Sequence, residues 1–187
     1  MDSRRLADRL IQPGNVRTFL KSEELFHLAA ADFEQRGEII VTRKPKTLRD
    51  IFSEVGDPPR PRSRPLGIEP DEEILHSPSG RRLFFEVKNQ GDEGNAEERA
   101  YKHHTSRFTR RLQEKLGLEY HPFFTVFTGA LAKNPRYTLK FRFLIEEGHY
   151  FLWDNYDSPE GIAAVSRFIG ECIDRYLFRR QKDVAGR

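Results

Sequence analysis

The sequence predicts an α/β fold, a mixed central sheet flanked by helices, and three observations carry that prediction. Apolar residues recur at a helical period near both ends of the chain, over 16–36 and 158–176. Short apolar runs with turn residues between them fill the middle. The order of elements is helix, short strand, hairpin, helix, strand, strand pair, helix, which matches a sheet covered by helices.

In order, "VRTFLKSEELFHLAAADFEQR" (16–36) presents Phe19, Leu20, Leu25, Phe26, Leu28, Ala29 and Phe33 on one broad face, and Gly37 is placed to stop it. "EIIVT" (38–42) reads as a short strand and "TLRDIFSEV" (47–55) as a short helix. The segment 56–67, "GDPPRPRSRPLG", holds four prolines and two glycines and reads as a basic loop within the domain. "DEEILH" (71–76), the turn "SPSG" (77–80) and "RRLFFEVKNQ" (81–90) form a hairpin. A long helix is expected over 95–116, ended by Gly117, with Ala96, Ala100, Phe108, Leu112 and Leu116 on one stripe. "PFFTVFTGAL" (122–131) reads as a buried strand. "YTLKFRFLI" (137–145) alternates and is expected to be a strand, paired with "HYFLW" (149–153). Ser158 and Pro159 open a last helix by cap and first-position preference.

The 187 residues fit one domain, 1–187, with a sizeable core. Hydrophobic residues make up 37% and charged residues 33%, as expected of a soluble protein with a charged surface. No apolar run approaches the roughly 20 residues of a membrane span, and "MDSRRLADRL" has no signal-like apolar core. No membrane partner is therefore expected. Cys172 is the single cysteine, which excludes an internal disulfide and points to a reducing, cytoplasmic location. The net charge is only +3, but the cations are focused. "RKPKTLR" (43–49), "RPRSR" (60–64) and "RAYKHHTSRFTRRLQEK" (99–115) form basic stripes that suit a phosphate backbone; alone, each also fits a solvated surface.

The chemistry-bearing residues gather around the hairpin. Pro70-Asp71 begins it, and Glu86 and Lys88 lie two apart on its second strand, so they share a face while Val87 turns away. The neighbouring strand can return Asp71 to them. Asp71, Glu86 and a backbone carbonyl, that of Val87, would make a hard-oxygen site suited to Mg²⁺. Lys88 beside it could hold or help deprotonate an attacking water. A lone Glu-x-Lys is more often a surface ion pair. Here the flanking "LFFEV" is apolar on both sides, a setting that ordinarily avoids charge.

Next comes "EGNAEER" (93–99). Asn95 is a good N-cap, Glu98 completes a capping-box-like pair, and Glu97 suits the helix dipole. Arg99 does not follow from capping, because a cation in the first turn opposes the dipole. The N-terminal residues of a helix aimed into the major groove read base edges, and Asn, Glu and Arg side chains can do so.

Pro70-Asp71, Glu86-x-Lys88 and Gly94-Asn95-Ala96-x-Glu98-Arg99 together resemble the type II restriction endonucleases of the EcoRI and MunI group, within the PD-(D/E)xK nuclease superfamily. In a chain this long, the five fixed positions of the last motif arise by chance with odds on the order of one in ten thousand. "KPKTLRDIF", "PFFTVFTGALAKNPR" and "YFLW" also resemble the MunI branch, and the likeness covers most of the chain. The resemblance implies a PD-(D/E)xK core and a homodimeric, Mg²⁺-dependent endonuclease cutting palindromic double-stranded DNA before AATT, to leave 5′ overhangs. It further implies Asp71 and Glu86 as metal ligands, Lys88 as the residue positioning water, and Asn95, Ala96, Glu98 and Arg99 as base readers, with Gln90 a weaker candidate. A cognate DNA methyltransferase would protect the host without a stable complex.

One departure stands out. The relatives carry a longer loop before the glycine, with an arginine immediately preceding it in the MunI branch. Here the loop is "NQGDE" and Glu93 holds that place. A carboxylate cannot donate to guanine, though it can accept from cytosine N4. A bare AATT site or a different outer base pair is therefore expected. Lys102, His103 and Arg107 are candidate phosphate contacts, and Glu23 or Glu24 a candidate support for the site. Trp153 and Cys172 read as core. A repair or junction-resolving nuclease of the same fold, and a non-catalytic sequence-specific DNA-binding protein, are the alternatives.

Overall fold

The computed structural model describes residues 21–54, 66–90 and 96–178. Five strands form one mixed sheet in the spatial order β1 (Ile39–Arg43), β2 (Glu72–His76), β3 (Arg81–Gln90), β4 (Phe123–Gly129), β5 (Tyr150–Trp153). The β1–β2 and β2–β3 pairs are antiparallel, and the β3–β4 and β4–β5 pairs are parallel. Parallel neighbours need crossovers. The first runs through α2 (Ala96–Tyr101), a 3₁₀ turn (Lys102–His104) and α3 (Ser106–Leu116), and the second through α4 (Ala130–Lys133) and α5 (Pro135–Leu144). The remaining helices are α1 (Ser22–Ala31), continued by a 3₁₀ turn over Asp32–Arg36, and α6 (Pro159–Tyr176).

Strand alternation divides the apolar side chains between two faces. Phe85, Val87, Phe124, Val126 and Trp153 pack against Phe26 and Ala29 of α1 and against Ile162, Val165 and Ile169 of α6. On the opposite face, Phe84 and Phe123 meet Phe108 and Leu112 of α3, while Phe127 meets Ala100 of α2 and Phe141 of α5. Trp153 is buried and donates its indole N–H to the Gly161 carbonyl at 2.9 Å, and Cys172 is buried on α6, in keeping with both as core. The helix signals near the ends hold where they are described. Gly37 closes the first helix in the left-handed conformation, φ 76°, and the Ser158 hydroxyl accepts from Gly161 N at 3.0 Å.

Three elements differ from expectation. The expected helix over 47–55 is, through residue 52, a series of turns. Its amides bond three residues back or across to residue 66, and the Arg111 guanidinium caps the Ile51 and Ser53 carbonyls. Leu48 and Ile51 still reach the core, so their three-residue spacing is satisfied without a helix. The single helix expected over 95–116 is broken. Thr105 is extended (φ −75°, ψ 145°), and its hydroxyl caps α3 by accepting from Phe108 N. The break lets α2 and α3 serve different apolar clusters. Residues 137–145 are helical, not a strand. Asn134 caps α5 by accepting from Arg136 N at 3.0 Å, and Pro135 takes its first position. Tyr137 and Phe141, four apart, are buried; Leu139 and Phe143 are exposed, Phe143 to 91%. A short apolar run fits either period, and the cap and proline decide it. β5 consequently pairs with β4.

His103 and His104 lie on the α3-facing side of the sheet. The His104 ring bonds Thr125 Oγ1 at 2.8 Å and the His121 ring at 3.3 Å, and His121 stacks on His149. Burial lowers His103 and His104 to about 3 and His121 to about 2, so these rings are neutral in the fold. A histidine whose folded pKa is depressed contributes stability that is fully present above its unfolded value, about 6.5, and is lost as pH falls toward the folded value. Buried carboxyls with raised pKa, Glu72 and Glu86, oppose that trend. The test is therefore a difference between proteins. In urea unfolding between pH 6 and pH 5, His121→Gln is expected to reduce the slope of stability against pH by about 1.2 kcal/mol per pH unit. An unchanged slope would contradict the neutral burial of His121.

Candidate active site

β3 is longer than the strand beside it. β2 begins at Glu72, which pairs with Phe85, so Glu86, Val87 and Lys88 have a strand neighbour only on the β4 side, where they meet Thr125, Val126 and Phe127. Asp71, immediately before β2, enters the gap on the other side. Its Oδ2 accepts from the Val87 amide at 2.7 Å, which satisfies a buried N–H that β2 does not reach. Its main-chain carbonyl accepts from Lys44 N at 2.8 Å. Asp71 is only 5% exposed and follows the buried Pro70.

The register extends across the sheet. Arg43 pairs with Glu72, so Lys44, just past β1, stands opposite Asp71; Asp71 stands opposite Glu86, and Glu86 is paired with Thr125. Glu86 and Lys88 share a face and form an ion pair. Lys44 Nζ pairs with Asp71 Oδ1. Burial raises the Glu86 pKa, and the negative charge of Asp71 adds to the shift; Lys88 and Lys44 act against it. The Lys44 pKa is raised on balance: burial lowers it, but the bond to Asp71 and the charges of Asp71, Glu23 and Glu86 outweigh burial.

The structure thus brings together Asp71, Glu86 and Lys88, the three residues singled out from the sequence. No group of three or more His, Cys, Asp or Glu is arranged to hold a metal among the described residues. A hard divalent ion here would have the two carboxylates, the Val87 carbonyl and water as ligands. The donor set fits: two adjacent, largely buried carboxylates whose charges already draw in two ammonium groups. Lys44 is the residue that sequence reasoning missed. It was legible only as part of a basic stripe; the β1–β2 register is what places it at Asp71. Glu23, in the first turn of α1, acts on Lys44 electrostatically, while Glu24 accepts from Lys21 N as a cap.

The candidate DNA contacts are distributed unevenly. Glu98 and Arg99 are exposed on α2, which Ala96 opens, and Gln90 ends β3 opposite Gly129. Glu93 and Asn95 lie outside the described residues. Lys102 and Arg107 are exposed. His103 departs from expectation: it is 5% exposed, packed between Phe108 and Phe123, and neutral. It therefore presents no cation to a phosphate in this conformation.

No curated protein matches the chain. A solved structure does: the MunI restriction endonuclease in complex with cognate DNA, at 22% identity and a TM-score of 0.57, over 80% of this chain and 95% of that one. The likeness supports the α/β restriction-endonuclease-like fold. The family model described as type II restriction enzyme MunI matches residues 3–176, nearly the whole length. The chain belongs to that family, the type II restriction enzymes of MunI type.

Proposed function

We propose that this restriction enzyme hydrolyses double-stranded DNA with Mg²⁺ at a palindromic site containing AATT, as a homodimer, leaving four-base 5′ overhangs. The observation that carries the proposal is the meeting of Asp71, Glu86 and Lys88 at the open edge of β3, the strand that precedes the helix bearing Glu98 and Arg99. Asp71 and Glu86, with the Val87 carbonyl, hold the ion; when bound, it supplies charge stabilisation at the scissile phosphate. Lys88 orients the attacking water and stabilises its deprotonated form. The water gives up a proton to solvent and its oxygen bonds to phosphorus as the phosphorus–oxygen bond to the leaving sugar breaks, and the leaving oxygen takes up a proton from solvent. The buried setting strengthens each of these electrostatic contributions.

Sequence reading is assigned to Asn95, Ala96, Glu98 and Arg99, with Gln90 assisting. Glu93 leaves the outer pair unread or altered. Lys102 and Arg107 contact phosphates. A palindrome calls for two copies related by a twofold axis. The outer face of α5, with Leu139, Phe143 and Leu144 all exposed, is the surface assigned to that contact. The expected basic loop over 56–67 lies, up to residue 65, outside the described residues; a cytoplasmic location suits the activity, and a methyltransferase acts on the same site.

Digestion of random-sequence duplex with Mg²⁺, followed by end mapping, is expected to return AATT overhangs; Glu86→Gln and Lys88→Ala should abolish cutting while site-specific binding survives. Ends without AATT would sink the inner-site assignment. For Arg99→Ala, the expected loss is about 1–3 kcal/mol on cognate duplex with little change on random duplex, measured by fluorescence anisotropy. Equal losses on both would contradict base reading. Phe143→Asp is expected to shift the protein from dimer to monomer in analytical ultracentrifugation with its circular dichroism unchanged; a persisting dimer would exclude this face.

A further inference from the structure

We propose that Lys44 is a built-in counter-ion of the active site, which occupies Asp71 Oδ1 in the DNA-free protein and must leave it before a divalent ion can bind. The inference rests on the metal-site reading above and adds a residue that regulates access to it. Asp71 has two carboxylate oxygens. Oδ2 accepts from the Val87 amide, so Oδ1 is the oxygen that carries no main-chain bond, and the Lys44 ammonium sits on it.

Three observations support the assignment. First, Lys44 is the one non-glycine residue with positive φ among the described residues, at 49°. Such a backbone persists where surrounding contacts over-determine it. Here the amide of Lys44 bonds the Asp71 carbonyl while its side chain pairs with the same residue's carboxylate. Second, both carboxylates already carry an ammonium partner, Lys44 on Asp71 and Lys88 on Glu86. A divalent ion added to this balanced set meets two cations at close range. Third, the Lys44 side chain is 52% exposed, so its head can turn outward. The exposed Arg43 and Lys46 stand beside it, a setting where a duplex phosphate supplies the negative charge that Lys44 gives up. Metal uptake and DNA binding are thereby coupled through one side chain, and the coupling is reciprocal.

Isothermal titration of the DNA-free protein with Ca²⁺, at low ionic strength, tests this without turnover. Lys44→Met is expected to bind Ca²⁺ about ten-fold more tightly than wild type, and Lys44→Arg, which keeps the charge, to stay near wild type. Adding a duplex with a central AATT should tighten Ca²⁺ binding in wild type by a larger factor than in Lys44→Met. Glu86→Gln is the control for the site itself. If Glu86→Gln weakens Ca²⁺ binding but Lys44→Met leaves it unchanged or weaker, the counter-ion role is overturned and the metal site stands. If wild type binds no Ca²⁺ with or without duplex, or Glu86→Gln binds as wild type does, the metal-site reading fails and this proposal with it.

Discussion

The hydrogen bond from the Val87 amide to Asp71 Oδ2 is the contact on which the rest of the site depends. It exists because β3 continues past the start of β2, which leaves a buried strand amide facing a gap. An unpaired buried N–H costs about 1–3 kcal/mol, and the Asp71 carboxylate removes that cost. In doing so it brings a second negative charge beside Glu86. Burial raises the Glu86 pKa, and repulsion by the Asp71 carboxylate adds to it. Lys88 and Lys44 offset the repulsion, so one backbone vacancy accounts for a four-residue charge cluster.

That cluster sits on a stiff base. Below it, Phe85 and Phe124 stack within the core shared with α1 and α6. On its own face, the aromatic ring of Phe123, the buried His103 and the His104–Thr125 bond fill the space next to Glu86's strand partner. These rings are neutral because burial holds them so, and they leave the local charge balance to the two carboxylates and two lysines. The same packing explains why His103 is unavailable to DNA while Lys102 and Arg107, on either side of it, face outward.

Much of this was legible locally. Ser158-Pro159 and Gly37 mark helix ends through their own backbone preferences, and they do so wherever they fall. Glu86 and Lys88 share a face because strand geometry allows nothing else. The alternation over 137–145 misled because Tyr137, Phe141 and Ile145 also recur every four residues, and the signal that decided the matter, Asn134-Pro135, lies outside the run. The break at Thr105 was likewise masked by apolar positions that keep a four-residue spacing across it. Thr105 could be read as a cap only once Ala100 and Phe108 were known to enter different clusters.

By itself, the sequence determined the fold class, the strand that carries Glu86 and Lys88, the return of Asp71 through the hairpin, and a resemblance, carried in part by Gly94–Arg99, to the family that the chain belongs to. All of these rest on neighbours within one or two elements, where chain geometry leaves few options. The tertiary structure decided that Lys44 stands at Asp71, that His103 is buried, and that Phe143 faces outward. Those outcomes depend on strand register and on which helix covers which face. The register between β1 and β2 joins residues nearly thirty positions apart, and it is what brings Lys44 to Asp71; no local period encodes it.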